Sequence, residues 1–138
     1  MSHDNVALMR RWFQEVWNER RAATIDELLH PQSVCHADDD VLRGVAEFKA
    51  RMYEPFISAL PDVRVEVDAI LADGDQAGIR WRAVGTHTGE GLGFPATGRT
   101  GSFRGMTWVR IRDGKLVEGW QCSNIPEVVR RLAAPGGS

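Results

Sequence analysis

The sequence predicts an α+β fold, in which helices cover one face of a curved, mainly antiparallel sheet. Two observations carry the prediction. Apolar residues recur at helical spacing up to about residue 60, and from Val63 onward they alternate with polar residues, so the period changes from 3.6 to 2. Helices followed by a series of antiparallel strands pack as two layers around one core.

The N-terminal part is predicted to form three helices. Asp4 or Asn5 can cap the first, and the second begins at Thr24, where T-I-D-E matches a capping box, and ends before Pro31. The third follows Gly44 and is kinked or shortened by Pro55. The expected apolar stripes are Val6, Met9, Phe13, Val16 and Trp17 in the first helix and Val45, Phe48, Met52, Phe56 and Leu60 in the third.

Two hairpins are predicted to build the sheet. The first turns at Asp73-Gly74 and the second, residues 103–124, turns at Asp113-Gly114. In each hairpin a three-residue loop that ends in glycine would place the apolar residues of both strands on one face, so we expect loops of that length. A long glycine-rich connection joins the hairpins.

The end of the chain is predicted to be a short helix and a tail. Pro126 can occupy the first turn of a helix over residues 127–132. The last five residues, APGGS, have no apolar pattern and are expected to fray.

Length and composition indicate one ordinary globular domain over residues 1–138. The chain is 43% hydrophobic and 26% charged, with a net charge of −2. No basic block stands out and no apolar run approaches the roughly 20 residues of a membrane span, so we expect no nucleic-acid or membrane partner. The first residues lack the pattern of a signal peptide, so we expect a cytoplasmic protein in which Cys35 and Cys122 are free thiols.

The last hairpin carries the strongest functional signal. With a three-residue loop, Met106, Trp108, Trp120, Cys122 and Asn124 share one face, whereas a two-residue loop would move Trp120 to the other side. We favour the first register, because it gathers large apolar groups that would be costly to expose.

We interpret this face as the wall of a small-molecule pocket rather than as plain core. Trp81 and His87 lie on one face of the preceding strand, and Phe13, Trp17 and Tyr53 of the helices would complete the wall. An aromatic cavity with a few polar groups is the usual form of a ligand site. At its mouth, His87 could act as a general acid or base, or it could instead hydrogen-bond to loop backbone and fix the turn.

Two further motifs have ordinary explanations. The pattern G-L-G-F-P-A at residues 91–96 resembles a dinucleotide fingerprint, but no helix follows it to bind a pyrophosphate. The run His36-Ala37-Asp38-Asp39-Asp40 could ligate a metal, yet no second ligand cluster is visible, so we favour a solvated turn and expect no metal.

Several short motifs, in this order and spacing, resemble the SnoaL-like branch of the nuclear transport factor 2-like superfamily over nearly the whole chain. They are L-R-G at 42–44, L-P-D at 60–62, D-G-D at 73–75, G-T-H-T-G at 85–89, P-A-T-G-R at 95–99 and R-I-R-D-G-K-L-V-E-G-W at 110–120. The resemblance implies a cone-shaped fold, in which a strongly bent sheet wraps around helices and encloses a deep apolar cavity.

The resemblance also implies a range of activities. Members include polyketide cyclases, which close rings by intramolecular aldol chemistry, epoxide-opening enzymes, hydroxylases and proteins without known catalysis. They typically use no metal or organic cofactor and commonly form homodimers or tetramers, so the resemblance implies that this chain needs no cofactor. The cyclases carry an acidic residue four positions after the tryptophan equivalent to Trp120, where this chain has Asn124. An amide can polarise a carbonyl but takes up no proton at neutral pH.

Two functional hypotheses follow. In the first, the protein is a cofactor-independent enzyme that acts on a small apolar or polyketide-like ligand by cyclase, isomerase or epoxide-opening chemistry. His87 would move the proton, His36 would assist, Asn124 would orient a carbonyl, and Glu118 is a weaker candidate base. In the second, the protein binds a ligand in a degenerate cyclase site without transforming it.

We also expect a homodimer through the outer sheet face. Thr107, Val109 and Val117 are the residues assigned to that contact.

Overall fold

The computed structural model describes the backbone of residues 2–134 and the side chains of residues 4–134. The tail that was expected to fray lies outside the described residues, apart from Ala134. No helix within residues 2–134 combines the length and the apolar character needed to cross a membrane.

Helices precede the main sheet, as predicted. Helix α1 (Ser2–Arg11) continues through a π-helical segment (Trp12–Asn18), and α2 (Ala22–Leu28) follows. Helix α3 (Gly44–Phe48) continues through a second π-helical segment (Lys49–Tyr53) into α4 (Glu54–Ala59), and α5 (Ile125–Ala133) ends the described chain. Pro55 occupies the first turn of α4, directly after the π-helical segment, so the predicted irregularity lies just before it.

The predicted caps of the first two helices were wrong. Helix α1 begins earlier, at Ser2, and the side-chain amide of Asn5 donates to the Gly74 carbonyl. Helix α2 begins at Ala22, so Thr24 lies inside it. The Thr24 hydroxyl does not cap the helix but donates to the carboxylate of Glu15 at 2.6 Å. Glu15 lies in the neighbouring π-helical segment, which packs beside α2.

The sheet has six strands in the order β2-β1-β6-β5-β4-β3. Their bounds are β1 Leu29–His36, β2 Val41–Arg43, β3 Arg64–Asp73, β4 Gln76–Thr86, β5 Thr100–Arg112 and β6 Lys115–Ser123. The four long strands pair antiparallel, as predicted, whereas β1 pairs parallel with β6. This parallel contact brings the β1–β2 loop beside the end of β6, and it thereby positions the site described below.

The last hairpin has the predicted pairing, with Trp108 opposite Trp120, but reaches it differently. Its turn contains two residues, Asp113 and Gly114, whose φ angles of 52° and 74° fit a type I′ turn. The extra residue lies within β6, where Val117 bulges between two paired neighbours. The predicted three-residue loop was therefore wrong, and the bulge has the same effect on register.

The first hairpin also combines a two-residue turn with a bulge in one strand. Asp73 pairs with Gln76 across a two-residue turn, and Asp68 bulges from β3. Because a one-residue shift exchanges the two faces of a strand, Leu71 points to solvent and is 79% exposed. The predicted alternation holds from Val63 to Val67 and fails nearer the turn.

The helices cover one face of the sheet, here called the inner face. On β4 and β5 its residues are buried or small: Ala77, Ile79, Trp81 and Ala83 on β4, and Phe103, Gly105, Thr107, Val109 and Ile111 on β5. The opposite side, the outer face, carries six large hydrophobic side chains that are exposed among the described residues: Val41, Leu71, Val84, Met106, Trp108 and Trp120.

Candidate active site

A cavity of about 270 Å³ lies between the helices and the inner face of the sheet. Its walls are mainly apolar, and the aromatic ones are Phe13, Trp17, Phe56, Trp81 and Phe103. Two edge-to-face contacts fix these rings, one between Trp17 and Phe56 and one between Phe56 and Phe103. The cavity can therefore hold a flat apolar molecule against rigid aromatic walls.

Four of the predicted wall residues line or adjoin this cavity. Phe13, Trp17 and Trp81 line it, and Tyr53 packs edge-on against Trp17 from behind. The indole N–H of Trp81 donates to the Thr107 hydroxyl at 3.0 Å, so the buried ring has its one polar group satisfied.

Aspartates of the β1–β2 loop lie at the mouth of the cavity. Asp38 is half-buried, and its carboxylate accepts hydrogen bonds from the Ser123 N–H at 2.6 Å, from the Ser123 hydroxyl at 2.5 Å and from the Gln121 amide at 3.2 Å. Asp38 and Gln121 both line the cavity. The predicted solvated turn was thus wrong for Asp38, because the parallel β1–β6 contact gives its carboxylate three donors.

The other two aspartates of this run have different environments. Asp40 forms an ion pair with Arg51 and accepts the Val41 N–H, and Asp39 is exposed. Among the described residues, no group of three or more His, Cys, Asp or Glu side chains is arranged to hold a metal ion.

The second group of predicted wall residues lies on the outer face, so its predicted position was wrong. Met106 is 62% exposed, Trp108 49% and Trp120 37%, and Cys122 is also exposed. The inner face has no room for an indole at Gly105, because Trp81 fills that space: a Cβ on Gly105 would come within 2.5 Å of the Trp81 ring. On β5, the face that the helices cover therefore carries Gly105, Thr107 and Val109 instead.

His36 also lies on the outer face. Its Nε2 is 2.8 Å from a carboxylate oxygen of Glu118, and its ring stacks on Trp120 at 5.5 Å between centroids. Arg110 contacts the other oxygen of Glu118. Neither His36 nor Glu118 lines the main cavity, although Glu118 and Trp120 border a second, smaller one of about 70 Å³.

His87 is completely buried and does not line the cavity. Its Nδ1 accepts a hydrogen bond from the Thr97 N–H at 3.2 Å, and the Thr97 hydroxyl lies 3.1 Å from the same atom. This geometry matches the alternative in which His87 binds loop backbone. The expected convergence of His87, Trp108 and Trp120 on one hollow was wrong, since the indoles lie on the opposite side of the sheet.

Asn124 lies at the start of α5, outside the cavity lining. Its side-chain oxygen accepts the Arg104 N–H at 2.8 Å, and its own N–H donates to the Arg104 carbonyl. The amide thereby extends the β5–β6 pairing by one residue instead of facing a ligand.

The two cysteines are free thiols, as expected. Burial raises the pKa of Cys35 to about 11, so its thiol stays protonated near neutral pH and is a poor nucleophile.

Comparison with known proteins identifies the family of the chain. A model of the SnoaL-like polyketide cyclase family matches residues 7–132. The chain belongs to this family. A search of the curated proteins found no match.

Several solved structures superpose on most of the chain. AclR from Streptomyces galilaeus, a proposed hydroxylase, is 28% identical with a TM-score of 0.83, and the match covers 99% of this chain and 89% of AclR. IdmH from Streptomyces antibioticus, a proposed polyketide cyclase, is 25% identical with a TM-score of 0.78, over 94% and 98% of the two chains. A proposed SnoaL-like cyclase from Jannaschia sp. CCS1 is 21% identical with a TM-score of 0.88, over 98% and 95%, and supports the fold alone.

Family membership confirms the predicted α+β, nuclear transport factor 2-like fold. It also supports a cyclase-type function at the level of the family. In this chain, the cavity-lining carboxylate that three donors hold is Asp38 of the β1–β2 loop, and the position four residues after Trp120, where the resemblance implied an acid, holds Asn124.

Proposed function

We propose that the protein is a cofactor-independent enzyme that rearranges or cyclises a neutral, polyketide-like molecule in the cavity, with Asp38 as the proton-transfer group. One observation carries this proposal: a half-buried carboxylate, fixed by three donors, opens onto an apolar cavity with aromatic walls. A general base must be held within reach of its proton, and this arrangement holds one there.

The cavity walls would supply binding and folding of the substrate. Trp17, Phe56, Trp81 and Phe103 present flat apolar surfaces on several sides. Holding a flexible chain folded brings its reacting carbons together, which supplies much of the rate of an intramolecular reaction. The mouth carries Asp38, Asp39 and Asp40 against Arg51, so a neutral ligand fits it better than an anionic one.

Asp38 retains capacity to accept a proton. Two carboxylate oxygens offer about four acceptor positions, and three donors occupy three of them. In an aldol closure, Asp38 would take the proton from the carbon next to a carbonyl. The enolate carbon then bonds to a second carbonyl carbon, whose oxygen receives the proton from Asp38. Gln121, which uses one amide N–H on Asp38, has a second N–H to donate to the enolate oxygen.

Substitution of Asp38 tests this role. We expect Asp38→Asn to lower kcat about 100-fold to 10,000-fold on linear polyketide substrates, because the amide keeps the shape but takes up no proton. Ligand affinity should change little, since the apolar walls remain. Asp39→Asn is the matched control, because Asp39 also lines the mouth but is exposed. Equal rates for Asp38→Asn and wild type would exclude Asp38 from the mechanism.

A ligand-binding protein without catalysis is the second candidate. It is favoured by Asn124, whose amide is engaged by Arg104 backbone and restores no acid to the cavity. The expected observation is saturable binding of a polyketide ligand by wild type with no product over hours. A degenerate cyclase site at this position would predict that Asn124→Asp gains turnover. Because Asn124 lies outside the cavity, we expect no gain.

We further propose that the outer face pairs with a second copy of the chain. Cross-strand partners place Leu71, Gly78, Trp108, Trp120 and His36 in one row across five neighbouring strands. Leu71, Trp108 and Trp120 of this row are exposed apolar side chains, and a group of them on one face is characteristic of an interaction surface.

The charges beside this row favour a self-complementary contact. Arg80 and Arg110 lie on the outer face together with Asp73 and Glu118, so both signs are present, as an isologous interface requires. The predicted contact residues need correction: Val109 is 3% exposed and belongs to the core, and Thr107 faces inward and accepts the Trp81 indole N–H.

Solution mass tests the homodimer. At micromolar concentration, wild type should sediment as a dimer, and Met106→Glu and Trp108→Glu should sediment as monomers with unchanged circular dichroism, because each buries a carboxylate in the contact. Ala23→Glu, at an exposed position of helix α2, is the control and should stay dimeric. A monomeric wild type would contradict this partner.

A further inference from the structure

The connection between β4 and β5, residues 88–99, crosses helix α4 and forms part of the cavity wall. This segment is called the strap below. Leu92 of the strap lines the cavity, and Phe94 packs against the core with its ring edge-on to His87, at 5.0 Å between centroids. The strap therefore touches the cavity on one side and the buried imidazole on the other.

Two glycines let the strap lie directly on the backbone of α4. A Cβ on Gly89 would come within 1.9 Å of the Ser58 carbonyl oxygen, and one on Gly91 would come within 2.3 Å of the Pro55 carbonyl oxygen. The N–H groups of Thr88 and Gly89 both donate to the Ala59 carbonyl. The first half of the strap is thus seated on the helix by contacts that only glycine permits.

His87 holds the second half. Its carbonyl accepts the Gly98 N–H at 2.8 Å, its own N–H donates to the Arg99 carbonyl at 2.8 Å, and its Nδ1 accepts the Thr97 N–H. A backbone N–H can only donate, so Nδ1 carries a lone pair and the proton of the neutral ring is on Nε2. That Nε2 is buried and has no partner among the described residues. Within the described part of the chain, Thr97 is therefore the polar partner of the ring.

We infer that His87 is a positioning residue that holds the strap closed through Nδ1 and Thr97, and that the strap is a removable cavity wall whose Leu92 limits the size of the ligand. This inference rests on the proposed function only in taking the cavity as the ligand site. His87 acts through the strap and does not contact the ligand, since no atom of it lines the cavity.

A pair of substitutions separates this role from proton transfer and from simple core packing. In His87→Asn the amide oxygen takes nearly the place of Nδ1 and accepts the Thr97 N–H, but the side chain does not titrate. In His87→Leu the volume is retained and the acceptor is lost. A positioning role therefore predicts rescue by asparagine and failure with leucine, whereas a catalytic base predicts failure of both.

Hydrogen exchange of the strap, without ligand, is the first measurement. We expect the amides of residues 88–99 to exchange about tenfold faster in His87→Leu and at nearly the wild-type rate in His87→Asn, while β5 and β6 are unchanged. Gly91→Ala should also release the strap and accelerate its exchange, because the added Cβ meets the Pro55 carbonyl. This variant provides the test if His87→Leu fails to fold. Unchanged exchange in the leucine variant, or equal acceleration in the asparagine variant, would overturn the inference.

Binding of the neutral fluorescent probe N-phenyl-1-naphthylamine is the second measurement. Release of the strap in His87→Leu should raise the association and dissociation rates of the probe about tenfold. In His87→Asn both rates should stay near those of wild type. Leu92→Ala should admit bulkier naphthylamines that wild type excludes. A faster-exchanging strap with unchanged probe kinetics would show that the strap is no cavity wall. Neither readout depends on turnover, so an inactive wild type would refute the proposed reaction and leave this inference standing.

Discussion

Glu15 shows how a single residue joins two neighbouring helices, the π-helical segment after α1 and helix α2. Its carboxylate accepts a hydrogen bond from the fully buried Thr24 hydroxyl and pairs with Arg11. The Thr24 hydrogen bond, followed by that from Arg11, lowers the pKa of Glu15 below its usual value of 4.5. The carboxylate form is therefore bound more favourably in the folded state than in the unfolded chain.

The sign of this linkage gives a prediction for acid stability. A lowered folded-state pKa stabilises the fold above the unfolded pKa, and the stabilisation is lost as pH falls through the folded value. We expect the free energy of unfolding, measured by urea titration, to fall less between about pH 5 and about pH 3 in Glu15→Gln than in wild type.

Glu15→Gln should also be less stable than wild type at pH 7. Glu19→Gln, which alters an exposed carboxylate just past the end of the same helix, is the control. An acid limb as steep in Glu15→Gln as in wild type would contradict the assignment.

At the same scale, Asp38 marks the limit of what the sequence could predict. Its run of three aspartates has no periodicity, and a solvated turn is the ordinary interpretation of such a run. What makes Asp38 a site residue is its hydrogen bonds with Ser123, 85 positions away. The role of His87, in contrast, was partly predictable from local sequence. The glycine-rich connection that follows His87 supplies the backbone N–H of Thr97, which donates to the imidazole, as one of the two interpretations expected.

At the scale of elements, local patterns predicted the existence and order of the helices and of the four long strands. The change of period, Pro55 and the two glycine turns are all local signals. The bulges at Asp68 and Val117 were not predictable in this way, because a bulge and a longer loop give the same cross-strand pairing beyond the bulge, on the side away from the turn. The parallel β1–β6 contact depends on the packed helices and has no local signal either.

The π-helical segments illustrate an element whose role appears only in the packed structure. Trp17 lies in the first, and Met52 and Tyr53 lie in the second. The segments face one another through the Trp17–Tyr53 contact, and both contribute residues to the cavity lining. Single π-helical turns are frequent at functional sites.

At the scale of the molecule, the sheet has an aromatic group on each face. Trp81 and Phe103 line the cavity on the inner face, and Trp108 and Trp120 form the exposed row on the outer face. The alternation of β5 predicted which residues share a face, but both faces carry apolar residues, so it could not predict which one the helices cover. Assigning the indoles to the cavity followed from apolar area alone, and the space occupied by Trp81 opposite Gly105 decides otherwise.

We propose that the ligand binds on the inner face of the sheet and a second copy of the chain on the outer face. The five tryptophans can report on it together if they are replaced by 5-fluorotryptophan, with each ¹⁹F resonance assigned by a Trp→Phe variant. At constant protein concentration, N-phenyl-1-naphthylamine should shift the resonances of Trp17 and Trp81 and leave those of Trp108 and Trp120 in place. Shifts confined to Trp108 and Trp120 would contradict the account.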